Sequence, residues 1–165
     1  MDEDSGAGSD LCVSCGICCE GSLFDQGPIF PHEEPEAGEL GFTIVQRNDG
    51  ERFFLLPCGN LCGSVCQIYE KRLTTCRTYK CPTLEAVEAR EIDRTEADRR
   101  VAAAKAAIAN IRQRLLPGER FDELRIRFGA DPAPSVVWKL AMVQWDMVLD
   151  RFFRKPHQRV VRQKA

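Results

Sequence analysis

Four cysteines lie within eight residues near the start of the chain. They are Cys12, Cys15, Cys18 and Cys19, in the run Leu-Cys-Val-Ser-Cys-Gly-Ile-Cys-Cys-Glu. A free cysteine can pack as a small buried hydrophobe, but an ordinary core element would use leucine, valine and isoleucine in place of four oxidisable thiols. The C-x-x-C spacing, in contrast, brings two thiolates to one metal ion across a two-residue turn. The density and the spacing together predict a metal site.

A second group of cysteines begins 39 residues after Cys19. Its members are Cys58, Cys62, Cys66, Cys76 and Cys81. The chain between the two groups is long enough to loop out while both ends close on one centre. The first residues lack the basic start and apolar run of a secretory signal, and the nine cysteines are odd in number. We therefore expect a cytoplasmic, reducing setting, in which disulfides are disfavoured.

The adjacent pair Cys18 and Cys19 restricts the kind of centre. Their Cα atoms are about 3.8 Å apart, but neighbouring side chains in extended backbone point to opposite sides. One small tetrahedral site would therefore not be served equally by both thiols. Cys12, Cys15 and Cys18 resemble the first part of the bacterial ferredoxin ligand run, but Cys19 follows at once. The spacing indicates either a polynuclear centre with ligands on two sides or two neighbouring sites that share this loop.

Taken together, the two groups resemble the YkgJ-like cysteine-cluster family, also described as a zinc- or iron-chelating CxxCxxCC domain. The resemblance covers about residues 11 to 84. It rests on the first cysteine group, on Cys58 as the family's intermediate cysteine, and on the segment from Cys66 through Cys76 to Tyr79. The family's second motif usually has Arg-Pro where this chain has Arg72-Leu73, and commonly ends in an aromatic residue and proline where this chain has Tyr79-Lys80-Cys81-Pro82.

The resemblance implies a metal centre, iron–sulfur or zinc, in a small bacterial protein. The ligands that it implies are Cys12, Cys15, Cys18, Cys19, Cys58, Cys66 and Cys76. Cys62 and Cys81 are additional to the family's pattern, and would either enlarge the site or be ordinary buried thiols. Around the ligands, Arg72 and Arg77 are candidates for offsetting thiolate charge, and Tyr69 and Tyr79 for covering the site or donating hydrogen bonds to sulfur. The alternative for these four residues is that the arginines are solvated and the tyrosines pack.

The elements that would position these residues predict an α+β fold. We expect a small cysteine-rich module with a β-hairpin, followed by two or three helices that pack with it as one domain. The hairpin signal is Asn48-Asp49-Gly50 between two β-rich runs, and it leads directly to Cys58. The domain plan is a disordered acidic lead-in over residues 1–10, the cysteine module over 11–84, a helical part of the same domain over 85–154 and a basic tail over 155–165.

The helical part follows Cys81-Pro82. A first helix is expected from Thr83, and a second from near Thr95 to Leu116-Pro117-Gly118, because apolar residues recur there at spacings of three and four. Residues 121–128 fit either a helix or a strand. Ser135 is a plausible N-cap for a last helix that runs to about Arg154.

This last helix is apolar nearly all round, so we expect it either in the core or against a partner. The side chains predicted to be buried are Val137, Trp138, Leu140, Met142, Trp145, Val148, Leu149 and Phe152. Lys139, Asp146 and Asp150 interrupt the apolar run, so no segment qualifies as a membrane span.

Composition adds little about partners. The chain is 44% hydrophobic and 29% charged with a formal net charge of −2, so no bulk attraction to nucleic acid or to an anionic membrane is expected. A protein or redox partner would have to be recognised through a local surface.

Three functions fit these patterns. The first is an iron–sulfur or other polynuclear iron centre that supports redox chemistry or electron transfer, favoured by seven to nine thiols with an adjacent pair. The second is a zinc module in which the metal supplies folding energy and the function is partner binding, favoured by the lack of a recognisable catalytic dyad. The third is redox sensing by thiols that bind no metal, for which Cys62 and Cys81 are the candidates. Whether the protein is an enzyme stays open.

Overall fold

The computed structural model describes residues 6–155, with side chains from Asp10 onward. The chain divides into two compact units. We call Cys12–Lys80 the cysteine unit, and Met1–Leu11 together with Cys81–Ala165 the helical unit. The cysteine unit nearly coincides with the module predicted over residues 11–84. The predicted basic tail lies outside the described residues except for Lys155, which pairs with Glu85 at 2.5 Å.

The predicted mixture of helix and strand is confirmed. The helices are α1 (Gly6–Cys15), α2 (Glu34–Glu39), α3 (Thr74–Thr78), α4 (Pro82–Glu88), α5 (Arg94–Arg112), α6 (Phe121–Ala130) and α7 (Val136–Phe152). The strands are β1 (Gln26–Pro28), β2 (Ile44–Gln46), β3 (Arg52–Leu55), β4 (Leu61–Cys62) and β5 (Val65–Cys66). Short 3-10 turns cover Pro31–Glu33 and Tyr69–Lys71.

Helix α1 replaces part of the predicted disordered lead-in. It begins at Gly6, so residues 6–10 are helical, while residues 1–5 lie outside the described part of the chain. Leu11, within α1, is buried, and a buried apolar anchor stabilises the turns that flank it. The sequence pattern missed this helix because glycine, serine and aspartate at its start favour turns over helix interiors.

The cysteine unit contains a three-stranded antiparallel sheet in the order β1-β3-β2. The predicted hairpin is confirmed as β2 and β3, with Ile44 opposite Phe54 and Gln46 opposite Arg52. Gly50 has a φ of +89° in the connecting turn, a value that glycine adopts readily. Strand β1 adds to the far edge of β3, with Gln26 opposite Leu55.

The core of the cysteine unit lies against this sheet. It consists of the buried residues Ile29, Ala37, Phe42, Phe54, Leu56 and Leu73. Cys58 and Cys76 are half-buried and pack against these side chains. The apolar core therefore fixes the positions of two of the predicted metal ligands.

The helical unit is built on α5 and α7. Helix α5 begins at Arg94, one residue before the predicted start near Thr95, because Asp93 is its N-cap and accepts a hydrogen bond from the Glu96 N–H at 2.8 Å. Its buried face is mostly small, with Ala97, Ala104, Ala107, Ile108 and Ile111. The ambiguous residues 121–128 are helical and belong to α6, which buries Phe121 and Leu124.

Helix α7 departs from its predicted burial. Ser135 is its N-cap as predicted, accepting from the Trp138 N–H at 3.2 Å. Of the predicted buried side chains, Met142, Trp145 and Leu149 are buried, whereas Val137 and Leu140 are exposed. Trp138, Val148 and Phe152 are half-buried. Val137 and Leu140 are not covered within the chain because the neighbouring helices pack on one side of α7, so their burial against a partner stays a prediction.

Across residues 6–155, no helix has both the length and the apolar character needed to cross a membrane.

Candidate functional site

The first cysteine group spans the end of a helix and the turn that follows it. Cys12 and Cys15 are three residues apart within α1, so both lie on one side of that helix. The N–H groups of Cys19 and Glu20 then donate to the Gly16 carbonyl at 3.0 and 3.2 Å. This turn replaces the extended backbone from which the divergence of Cys18 and Cys19 was predicted.

Gly16 is the residue that permits this turn. Its φ is +70°, in the left-handed region that side chains disfavour. A Cβ built on Gly16 would lie 3.1 Å from both the Cα and the carbonyl oxygen of Ser64. Ser64 lies in the turn between β4 and β5, so the close approach brings the strand of Cys66 next to the first cysteine group.

A backbone hydrogen bond joins the first cysteine group to Cys58. The Cys58 N–H donates to the Cys19 carbonyl at 2.8 Å. Nearby, a Cβ on Gly21, whose φ is +85°, would lie 3.2 Å from the Pro57 nitrogen. The chain that leaves the hairpin at Leu56 is thereby held against the turn of Cys19.

The β4–β5 hairpin separates the two cysteines that it carries. Leu61 is paired with Cys66, and Cys62 with Val65. Paired residues share a face of a hairpin and successive residues alternate between faces, so Cys62 and Cys66 lie on opposite faces. Cys62 is exposed and Cys66 is half-buried.

Cys76 lies on α3, and the start of this short helix is held by Glu33. The Oε1 atom of Glu33 accepts hydrogen bonds from the Thr74 N–H at 2.6 Å and from the Thr74 hydroxyl at 2.7 Å. Burial acts to raise the pKa of Glu33, but these bonds outweigh it and lower that pKa below its usual range. The Oε2 atom of Glu33 is buried and has no hydrogen-bond partner among the described residues.

Five thiols from these segments form what we call the thiol cluster. They are Cys12, Cys19, Cys58, Cys66 and Cys76. Burial, followed by the charges of Cys76, Cys58, Cys66 and Cys12, raises the pKa of the Cys19 thiol to about 12. Charges act on the pKa of a nearby thiol, so side chains from four separate parts of the chain lie within electrostatic reach of Cys19.

Cys76 is subject to the same effects. Burial, followed by the charges of Cys58 and Cys66, raises the pKa of the Cys76 thiol to about 12. Arg72 acts in the opposite direction and Glu33 in the same direction. Both residues therefore lie within electrostatic reach of this thiol.

Cys58 has hydrogen-bond donors from Asn60 close to its sulfur. Burial raises its pKa, and the nearby Cys66 raises it further. The backbone N–H and the side-chain amide of Asn60 lower it by hydrogen bonding to the sulfur. The Asn60 amide also donates to the Leu40 carbonyl at 2.8 Å, so it is fixed in place. N–H groups aimed at sulfur stabilise a thiolate and are typical around metal-bound cysteine.

The predicted auxiliary residues have defined contacts. The Arg72 guanidinium stacks 3.5 Å from the centre of the Tyr69 ring, in a position from which it lowers the pKa of Cys76. Arg77 donates to the carbonyls of Arg72 and Glu70 at 2.5 and 2.9 Å, so it braces the backbone of this segment. Tyr79 packs edge-on against Phe24, with ring centres 5.1 Å apart.

The remaining predicted cysteines have different positions. Cys15 and Cys18 are half-buried in the first cysteine group. Cys81 belongs to the helical unit, where its sulfur accepts a hydrogen bond from the Leu84 N–H at 3.4 Å and caps α4. All nine cysteines are reduced. Among residues whose side chains are described, no three cysteine, histidine or carboxylate side chains stand in an arrangement that could hold a metal ion.

Asn60 and Glu33 contribute to the site but were not predicted from the sequence. The signal that could have identified Asn60 is a side-chain amide two residues after a predicted cysteine ligand, close enough to hydrogen-bond to its sulfur. Glu33 is 41 residues from Thr74 in sequence, so no local spacing connects it with Cys76.

No protein-family model, no curated protein and no solved structure matches this chain.

Proposed function

We propose that the thiol cluster binds metal, and that the bound group is an iron–sulfur or other polynuclear iron centre. The observation that carries this proposal is the convergence of the cysteine segments: the Cys58 N–H donates to the Cys19 carbonyl at 2.8 Å, Gly16 lies against Ser64 beside β5, and Cys58 and Cys76 pack on one core. The charges of Cys12, Cys58, Cys66 and Cys76 each raise the pKa of Cys19. These thiols come from α1, from two loops, from β5 and from α3, so packing of one element does not explain their convergence.

The thiol chemistry of the cluster suits a cation, which would have to draw these side chains into ligand geometry, because no three described cysteine, histidine or carboxylate side chains already stand in it. Crowded, partly buried thiols oppose each other's ionisation, as the raised pKa values of Cys19 and Cys76 indicate. A bound metal ion reverses this effect because it stabilises several thiolates at once. Two further features support this. The Asn60 donors hydrogen-bond to the Cys58 sulfur, and the buried Oε2 of Glu33, which has no hydrogen-bond partner among the described residues, belongs to a carboxylate within electrostatic reach of Cys76.

The number of thiols supports a polynuclear centre. A structural zinc ion takes four ligands in a tetrahedron, whereas the thiol cluster has five members and Cys15 and Cys18 lie in the same cysteine group. When bound, an iron–sulfur cluster would supply one-electron redox chemistry. The residues of the cysteine unit would hold it, surround it with Arg72 and Tyr69, and limit its contact with water.

A single structural zinc ion is the second candidate. Cys19, Cys58, Cys66 and Cys76 are all coupled to one another, whereas Cys12 is the weakest contributor at Cys19. Four mutually coupled thiols equal the ligand number of zinc. The function of such a module would be to fold a surface for a protein partner.

Free redox-sensing thiols fit less well. The thiols predicted for redox sensing, Cys62 and Cys81, lie outside the thiol cluster: Cys62 is exposed, and Cys81 caps α4. Reactive cysteines are thiolates with a lowered pKa, whereas within the cluster the pKa values of Cys19, Cys58 and Cys76 are raised. Metal binding is the better use of this cluster.

Anaerobic purification of the full chain separates the two metals. Iron and acid-labile sulfide in stoichiometric amounts, with absorption near 400 nm, would support the iron–sulfur centre. A colourless protein that contains only zinc would eliminate it in favour of the second candidate. A protein that binds neither metal after anaerobic reconstitution would overturn both.

Two cysteine variants and one control test the site itself. We expect Cys19→Ser to lose metal with either centre, because Cys19 is coupled to all the other members of the cluster. Cys12→Ser should disrupt a polynuclear centre but leave zinc content unchanged. Cys62→Ser is the matched control, because Cys62 is exposed on the opposite face of the hairpin from Cys66. Full metal content in Cys19→Ser would contradict the proposal.

A further inference from the structure

Helix α7 carries two apolar stripes, and its own unit covers only one of them. The inner stripe is Trp138, Met142, Trp145 and Leu149, whose side chains are buried or half-buried. The outer stripe is Val136, Leu140, Val143 and Met147, which are exposed together with Val137 by 53–69%. The two stripes are offset by two residues, roughly 200° around the helix. Internal packing therefore accounts for one side of α7 and leaves the other open.

The outer stripe has the spacing of a helix–helix contact. Its residues follow one another at intervals of four, three and four, which is the heptad repeat of apolar residues that face a second helix. The stripe runs for about 16 Å along α7. Scattered exposed apolar residues are ordinary on a protein surface, but a contiguous row marks an interaction surface.

We propose that the outer stripe is the contact surface of a homodimer, in which α7 of one copy packs antiparallel against α7 of a second copy. A twofold contact requires a surface that is complementary to itself. In the antiparallel arrangement Val136 packs opposite Met147 of the second copy, and Leu140 opposite Val143 of the second copy. Each layer then joins one larger and one smaller side chain, and all four residues are covered on both copies.

The charges beside the stripe also suit the antiparallel arrangement. With these layers, Lys139 faces Asp146 of the second copy, since both occupy the position that precedes a seam residue. Asp146 already accepts hydrogen bonds from Arg125 at 2.5 and 3.0 Å and from Arg154 at 3.1 Å. It is thereby fixed at the edge of the seam, where its 39% exposed side chain can receive a further cation.

Val137 distinguishes the two possible directions. In the antiparallel arrangement it faces the exposed Gln144 of the second copy, since both follow a seam residue, and the aliphatic stem of Gln144 can cover it while the amide reaches water. In a parallel pair, the residue of the second copy that would face Val137 lies before Val136 in the sequence. Helix α7 has not begun there, so no helical side chain would cover Val137. Only the antiparallel pair therefore covers all five exposed apolar residues of α7.

The oligomeric state of the purified full chain tests this inference independently of any metal. Sedimentation velocity over a range of micromolar concentrations should give a dimer of the 18.6 kDa chain. Leu140→Glu and Val143→Glu should each convert the protein to monomer. In either variant a buried carboxylate would lie opposite an apolar side chain of the second copy, in both symmetry-related layers. Leu116→Glu is the control, because Leu116 is also exposed by more than half but lies outside α7. Far-UV circular dichroism would establish that each variant is folded.

The direction of the pair is tested by two further measurements. Lys139→Glu should weaken the dimer roughly tenfold, because it replaces two attractive pairs by repulsive ones. A photo-reactive amino acid at position 136 should cross-link to the segment around Met147 of the second copy. A wild-type monomer throughout the concentration range, a dimer that survives both glutamate substitutions in the stripe, or cross-links between the two copies of residue 136 would overturn the inference.

Discussion

At the scale of single residues, glycines decide how closely the cysteine segments approach. Gly16 meets two requirements, a left-handed backbone and a distance of 3.1 Å from its Cβ position to Ser64. Gly50 meets only the first, because no atom lies within 4 Å of its Cβ position. Comparing substitutions at Gly16 and Gly50 therefore distinguishes the cost of an unfavourable φ from the cost of a steric clash.

We expect Gly16→Ala to destabilise the cysteine unit by about 1–3 kcal/mol, since the methyl group adds a clash to the unfavourable φ. Gly50→Ala should cost about 1 kcal/mol, the left-handed term alone. Urea denaturation of both variants measures the difference, and metal content measured beside it shows whether the cluster is affected. Equal losses in the two variants would indicate that the contact with Ser64 yields without cost.

Glu33 acts on Cys76 through a helix start. Its Oε1 atom accepts from the Thr74 N–H and hydroxyl, which leaves α3 correctly placed for Cys76 to reach the thiol cluster. We expect Glu33→Ala to destabilise the cysteine unit by about 1–2 kcal/mol, as for loss of a helix cap. Glu33→Gln, which keeps the accepting oxygen, should cost less. Chemical denaturation measures the free energy of unfolding of both variants. A larger loss of stability in Glu33→Gln than in Glu33→Ala would argue against the capping role.

At the scale of elements, α6 and α7 are joined by a charge network. Asp146 of α7 accepts hydrogen bonds from Arg125 of α6 and from Arg154, and Arg154 also pairs with Asp150 at 3.1 Å. Arg125 additionally lies over the Trp145 ring, 3.8 Å from its centre. Burial acts to raise the pKa of Asp146, but the two arginines outweigh it and lower that pKa below its ordinary value.

The lowered pKa of Asp146 implies a defined pH dependence. Its contribution to stability is complete above the ordinary carboxyl pKa of about 3.9 and is lost as the pH falls through the lower folded-state value. At pH 7, Asp146→Asn should destabilise the helical unit by about 1 kcal/mol, a modest figure because water screens the partly exposed pair. Thermal melts should show this difference shrinking below about pH 4. Asp98→Asn, at the more exposed pair with Arg94, is the control and should show a smaller effect.

At the scale of the whole molecule, the two units should respond differently to metal. The proposed ligands all lie in Cys12–Lys80, whereas α5, α6 and α7 belong to the helical unit. Removing the metal with a chelator should therefore increase amide hydrogen exchange in the cysteine unit and leave the amides of α5 and α7 protected. A structural metal contributes roughly 10 kcal/mol or more to folding, so the loss of protection should be large. Uniform loss across both units would show that they unfold together.

Local patterns predicted the elements whose cause is local. The β2–β3 hairpin follows from a turn sequence with glycine at the position that needs a positive φ, and the α7 N-cap follows from one serine. The C-x-x-C spacing and the cysteine density predict metal chemistry, and this stays a prediction. The lead-in was misjudged because burial of Leu11, a tertiary effect, favours helix where the local residues do not.

The sequence alone determined that thiols are the distinctive chemical groups of this protein and which segments carry them. Only the tertiary structure decided which thiols converge, because the approach of Cys19, Cys58, Cys66 and Cys76 depends on backbone contacts between segments far apart in the chain. It also decided which apolar residues of α7 are covered. Periodicity identifies the apolar sides of a helix, but burial depends on whether another element packs there, and that information lies in the positions of α5 and α6 and not in α7.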